Sequence, residues 1–205
     1  MKKKIVLYAR AGQNKIYPLI AEKLTNYNYS YIVQNDKEER ELRSLEKNSS
    51  INIYNLTSFI SLNWNNKVYL SIDLSSFEKE YNIDSLWNLF YIDRFLVEYN
   101  YTDAIKFIKL HIAFSKLILE KEKPDYFVNE EIAIFFPLIF SKISGVKNCK
   151  YIGFSVPRNF SYSKILFKDA EGHYPQLNEF YFKKDITSEE LKNAENTVKS
   201  IISAK

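Results

Sequence analysis

Short apolar runs recur along the chain, each followed by a polar corner and then by apolar residues at helical spacing. Ile5-Val6-Leu7-Tyr8 is the first such run, as expected of a strand buried on both faces. Ala9 to Lys15 (ARAGQNK) forms a polar corner. Ile16, Leu19, Ile20 and Leu24 then share one helical face, with Pro18 in the first turn, where proline is tolerated. Tyr29 to Val33 predicts a second strand, Asp36 to Leu45 a polar helix with a solvated face, and Ile51 to Tyr54 a third strand. This alternation predicts an α/β fold with a mainly parallel open sheet.

Further on, Asn63 to Asn66 reads as a turn and Val68 to Ile72 as a short strand in a hairpin. Helices follow from Ser75, one of them spanning Leu86 to Tyr99. Asp93 falls on the apolar face of that helix, so it needs an ion pair or a loop to cap, or else it reaches into a ligand crevice. Thr102-Asp103 is placed to cap a helix over Ala104 to Glu122, whose broad apolar surface predicts packing on two sides. His111 sits in its aromatic stripe and reads as a packed, hydrogen-bonded histidine. Lys123 to Ser144 (KPDYFVNEEIAIFFPLIFSKIS) is the most informative stretch: a turn, a strand at Tyr126 to Val128, an acidic corner and a helix that Gly145 is placed to end. Tyr151 to Phe154 predicts another strand, followed by polar loops at Ser155 to Lys164 and Phe167 to Pro175. Thr187 and Glu190 are spaced as a capping box for a last helix to Ala204.

Composition narrows the function classes. With 205 residues, 46% hydrophobic and 26% charged, the chain fits one globular domain, expected over residues 1–185, with 186–205 as a separate C-terminal helix. The net charge of +4 is spread without a basic stripe, so no nucleic-acid partner is expected. The single cysteine, Cys149, excludes an intrachain disulfide and reads as a structural thiol in a reducing compartment. No signal-peptide pattern and no apolar stretch near ~20 residues is present. The expected location is the cytoplasm, free or peripheral at the inner face of the membrane. Two histidines and one cysteine give no zinc spacing, and no G-x-G-x-x-G, P-loop or G-x-S-x-G pattern occurs. Neither metal nor cofactor is expected.

Candidate chemistry lies at the corners, because ligands of open α/β sheets bind beyond the carboxyl ends of the strands. Gly12, Gln13 and Asn14 form either a ligand loop or a plain strand-to-helix connection. Glu130 and Glu131 either stabilise a helix N-terminus, by about 0.3–1 kcal/mol, or present one carboxylate to the crevice. Glu130, nearer the strand end, is the one expected to face a ligand, accepting from sugar hydroxyls or acting as a general base. Ser155, Arg158 and Asn159 occupy the next corner, where Arg158 is either a surface arginine of an ordinary loop or a guanidinium suited to a carboxylate or phosphate. Asp169, Glu171 and His173 lie together in the following loop, either as a solvated loop or as a second cluster at the same mouth.

Over about Asn82 to Tyr181, counting from Tyr81 for the first motif, the chain carries YNIDSLWNLFYIDRF, a long helix, KPDYFVNEE with its helix, and GVKNCKYIGFSVPRNFSYSKILFKDAEGHYPQL. An aspartate-arginine helix, a Lys-Pro-Asp strand ending in acidic residues, and a Ser-x-Pro-Arg corner before a Phe-x-Asp loop make up the pattern. It resembles the amino-terminal half of bacterial capsular polysaccharide biosynthesis glycosyltransferases of the GT-B type. The resemblance implies a Rossmann-like, three-layer domain forming the acceptor side of a two-domain cleft. It also implies sugar transfer from an activated nucleotide donor, which a carboxyl-terminal domain would hold. No such half is expected within these 205 residues, with 186–205 expected as the linker helix, so a piece of this kind is expected to bind a glycan acceptor without turning over alone. Carried onto this sequence, the candidate base is Glu130, with Asp169 second, and Arg158 would meet an acidic or phosphorylated acceptor. Two other classes stay open: a non-catalytic interaction module in capsule assembly, marked by an apolar patch outside the cleft, and half of a nucleotide-sugar epimerase.

Overall fold

A computed structural model describes residues 2–94, 96, 98–130, 134–155, 166–168 and 187–203. The elements in order are β1 (Lys3–Tyr8), α1 (Gln13–Ala21), β2 (Tyr27–Val33), α2 (Asp36–Leu45), β3 (Ile53–Asn55) and α3 (Leu56–Asn63). Then come α4 (Lys67–Leu70), α5 (Leu74–Glu80), α6 (Leu86–Ile92), α7 (Tyr101–Glu122), β4 (Tyr126–Asn129), α8 (Phe135–Val146), β5 (Lys150–Ser155), β6 (Leu166–Lys168) and α9 (Ser188–Ser203). The sheet order is β3-β2-β1-β4-β5-β6. The first five strands in that order are parallel, and β6 pairs antiparallel at the edge, with Phe154 opposite Phe167. This is a Rossmann-like open sheet. The direction of strand addition reverses between β1 and β4, which places a topological switch point there.

Alternation along β1 divides the core. Ile5, Leu7 and Ala9 face α1 and α2 and pack with Tyr17, Ala21, Tyr31, Val33 and Leu42. Val6 and Tyr8 face the other way, joining Ile32 and Phe127 under α7 and α8. Buried Phe135, Phe136, Ile139, Phe140 and Ile143 of α8 belong to that second layer. α7 is buried on both sides, as its broad apolar surface predicts, with Ile108, Ile112 and Ile118 fully covered.

Several expected elements change. Val68 to Ile72 is not a strand: α4 occupies Lys67–Leu70, and the Asn66 side chain caps Val68 N–H, a local bond that favours a helical turn. The helix expected over Leu86 to Tyr99 stops at Ile92, and Asp93 turns to extended backbone at ψ 103°. Asn100, not Thr102-Asp103, caps α7, its side-chain oxygen accepting from Asp103 N–H at 3.0 Å. Gly145 lies inside α8, and the left-handed residue beyond that helix is Asn148, at φ 59°. The capping box at Thr187 and Glu190 is present, with Glu190 N–H donating to Thr187 Oγ1 at 3.2 Å and Thr187 N–H donating back to Glu190 Oε2 at 2.8 Å.

The largest difference is at α1. Ile16, Leu19 and Ile20 are 53%, 58% and 42% exposed, whereas Gln13, Asn14, Tyr17, Pro18 and Ala21 are buried. The helix starts three residues before Ile16, after Gly12 at φ 104°. Two polar anchors, Gln13 to Glu130 and Asn14 to Glu41, fix its rotation and turn the aliphatic stripe outward. Among the described residues, no helix is long and apolar enough to cross a membrane.

Candidate functional site

Two features lie beyond the carboxyl ends of the strands. The first spans the switch point. Glu130 follows directly after β4, and the Gln13 side-chain nitrogen donates to its Oε2 from the first residue of α1. Gln13 is 7% exposed, and its amide oxygen has no donor among the described residues. The tight turn that brings Gln13 here requires positive φ at Ala11 (48°) and at Gly12 (104°). Gly12 N–H donates to Asn14 Oδ1 at 3.1 Å, and Asn14 Nδ2 donates to Glu41 Oε2 at 2.7 Å. Asn14, 1% exposed, therefore holds α1 against α2 rather than facing a ligand.

Glu130 is not a helix-end charge. α8 begins at Phe135, and its first turn has no acidic residue. Its first N–H is served from elsewhere: Asp93 Oδ2 accepts from Phe135 N–H at 3.0 Å. A carboxylate at a helix N-terminus suits the orphan amides and the helix dipole. The break after α6 thus carries Asp93, 6% exposed, across to the start of α8.

The second feature is an open cavity of about 940 Å³ beside this corner. Its walls come from the end of β1 (Arg10, Ala11), the end of β2 (Gln34, Asn35), the first turn of α2 (Glu38), α3 and the residues after it (Thr57, Ser61, Trp64, Asn65), and α7 (Phe107, His111). Asp93, Tyr99, Ile134 and Phe136 close it toward α8. The size and the mixture of aromatic rings with polar groups match a small-molecule site. Glu38 shapes the rim by accepting from Ala11 N–H at 2.9 Å and from Gln34 N–H at 2.8 Å. One face of Trp64 carries the Lys106 ammonium at 5.4 Å from the ring centroid. Below the cavity, the Tyr8 hydroxyl bonds the Gln34 side-chain oxygen, and burial pushes the phenol pKa far above its usual value.

Of the residues singled out from the sequence, Gln13 and Glu130 are brought into contact, and Gly12 supplies their turn. Ser155 ends β5, with its backbone opposite Leu166. Glu131, Arg158, Asn159, Asp169 and His173 lie outside the described residues. Sequence reasoning missed Arg10, Trp64 and Tyr99 as lining groups. Arg10 lay within the ARAGQNK corner, but nothing in its spacing marked it, and Trp64 looked like part of a turn. Cys149 is buried and its thiol is pushed up to about 12, chiefly by burial, as for an inert structural cysteine. Among the described residues, no cluster of three or more His, Cys, Asp or Glu could hold a metal ion.

Comparison with protein-family models, with curated proteins and with solved structures returned no match.

Proposed function

We propose that this chain is the acceptor-binding half of a glycosyltransferase for capsular or other cell-surface polysaccharide. A sugar would be transferred from an activated nucleotide donor bound by a second domain. The observation that carries the reading is the cavity at the strand ends, where aromatic planes adjoin amides, hydroxyls and carboxylates; Glu130 stands outside its lining, at the switch point. Sugars are recognised by that combination: rings cover the apolar face of a pyranose, and polar groups pair with its hydroxyls. Glu130 is the proposed base. Gln13 holds one carboxylate oxygen, so the carboxylate is oriented and can take the proton of an attacking hydroxyl. The exposed Glu130 belongs to one wall of a cleft, and the donor half would supply the other.

In a transferase joining this domain to a donor-binding half, Glu130→Gln should lower kcat by about 10²–10⁴-fold with little change in acceptor KM. Unchanged transfer would remove Glu130 from the mechanism. Product analysis on the same protein separates a transferase from an epimerase.

A second reading, an interaction module in capsule assembly, is favoured by the outward Ile16, Leu19 and Ile20 of α1. Under that reading the chain binds no sugar, and Leu19→Glu abolishes retention by the assembly partner while Glu130→Gln does not.

A further inference from the structure

His111 is 2% exposed, yet it lines the cavity from α7. Its Nδ1 lies 2.8 Å from the carbonyl oxygen of Phe107, one turn earlier. A carbonyl oxygen only accepts, so Nδ1 carries the hydrogen. Burial is the main reason the ring pKa falls to about 4, so the imidazole is neutral and Nε2 keeps its lone pair. The bond seen for the ring among the described residues is the one at Nδ1, and Nε2 is not one of the buried unpaired atoms, which fits an edge open to the cavity. The ring is held among Phe107 at 3.9 Å, Phe135 at 5.4 Å and Phe136 at 6.0 Å between centroids, so its direction is fixed.

The two carboxylates of the same lining are already engaged. Asp93 serves the start of α8, and Glu38 serves Ala11 and Gln34. A site that presents an acceptor in a fixed direction discriminates against a ligand lacking the matching donor. We infer that His111 Nε2 accepts a hydrogen bond from a single hydroxyl of the ligand in the cavity, and so determines which hydroxyl position an acceptor sugar must carry. The inference rests on the sugar-acceptor reading above. No proton is transferred in this role, and His111 acts as a specificity-determining residue.

The test titrates the full 205-residue chain with the methyl glycosides of glucose, galactose, mannose and N-acetylglucosamine, read by saturation-transfer NMR. The monodeoxy analogues of the tightest binder follow. One analogue should bind about ten-fold more weakly than its parent, the range of a lost net hydrogen bond. In His111→Phe, which keeps an aromatic ring among its neighbours, that difference should shrink to within two-fold. The ¹⁵N resonance of His111 Nε2 in the unmodified protein supplies a readout independent of any variant. It should move upfield with the parent sugar and stay in place with the critical deoxy analogue. A deoxy penalty that persists in His111→Phe, the absence of any penalty, or an unmoved Nε2 resonance would overturn the inference alone. Failure of all four glycosides to bind would overturn the sugar-acceptor reading as well.

Discussion

Gly12 and Glu122 show how much rests on single positions. At φ 104°, Gly12 holds a conformation that costs an L-residue roughly 1–2 kcal/mol, although a Cβ there would meet nothing within 4 Å. Gly12→Ala should therefore lower stability by about that amount through backbone strain alone, seen as a lower midpoint in chemical denaturation. An unchanged midpoint would contradict the strain. Glu122 is 2% exposed at the end of α7 and pairs with the Lys4 ammonium. It also accepts from Asn52 Nδ2 at 2.8 Å and from the Tyr54 hydroxyl. Burial alone would raise its pKa, but the bonds from Lys4, Tyr54 and Asn52 together hold it below the usual value. That contribution to stability is present above the unfolded pKa and is lost as pH falls through the folded one. Glu122→Gln should cost about 1–3 kcal/mol at pH 7 and should reduce the loss on acidification below pH 4.5. Equal stability at pH 7 would mean the network contributes nothing net.

At the scale of elements, the parallel strands β1 to β5 and the two-sided helix α7 were legible, whereas the short elements at Val68 to Ile72 and after Ile92, the edge strand β6 and the face of α1 were not. The apolar runs at Ile5 to Tyr8 and Tyr126 to Val128 became central strands because only a doubly covered strand buries such runs. Asp36 to Leu45 appeared with the expected bounds, since Asn35 caps Glu38 N–H. Ile16, Leu19 and Ile20 misled because periodicity gives a stripe without saying which way tertiary anchors will turn it. The anchors were Gln13 and Asn14, whose partners Glu130 and Glu41 lie 117 and 27 residues away. Asp93 was visible as an anomaly, but its partner, the Phe135 amide, belongs to another element. In α7, burial lowers the pKa of His111 from an ordinary 6.5 to about 4. The unfolded chain then binds the proton more readily, so stability is full above pH 6.5 and declines as pH falls toward 4. His111→Phe should flatten denaturation midpoints between pH 7 and pH 4.5, and a slope equal to that of the unmodified protein would show that another group titrates.

For the whole molecule, topology decides where function can sit. The order β3-β2-β1-β4-β5-β6 puts the switch point between β1 and β4, and the cavity opens beside it. The sequence located the corner through Glu130 but not the cavity, whose walls come from positions as distant as Arg10, Trp64 and His111. Such convergence is set by how α3, α6 and α7 cross back over the sheet, and no local pattern encodes it. The central claim, a sugar-acceptor site at this end of the sheet, is tested most directly by ¹H–¹⁵N spectra of the chain during titration with the tightest of the four methyl glycosides. The account predicts saturable shifts concentrated at Ala11, Asn35, Ser61, Ile134 and the Trp64 indole. Shifts confined to the opposite end, around Thr25, Ser50 and Lys147, or spectra unchanged by all four sugars, would contradict it.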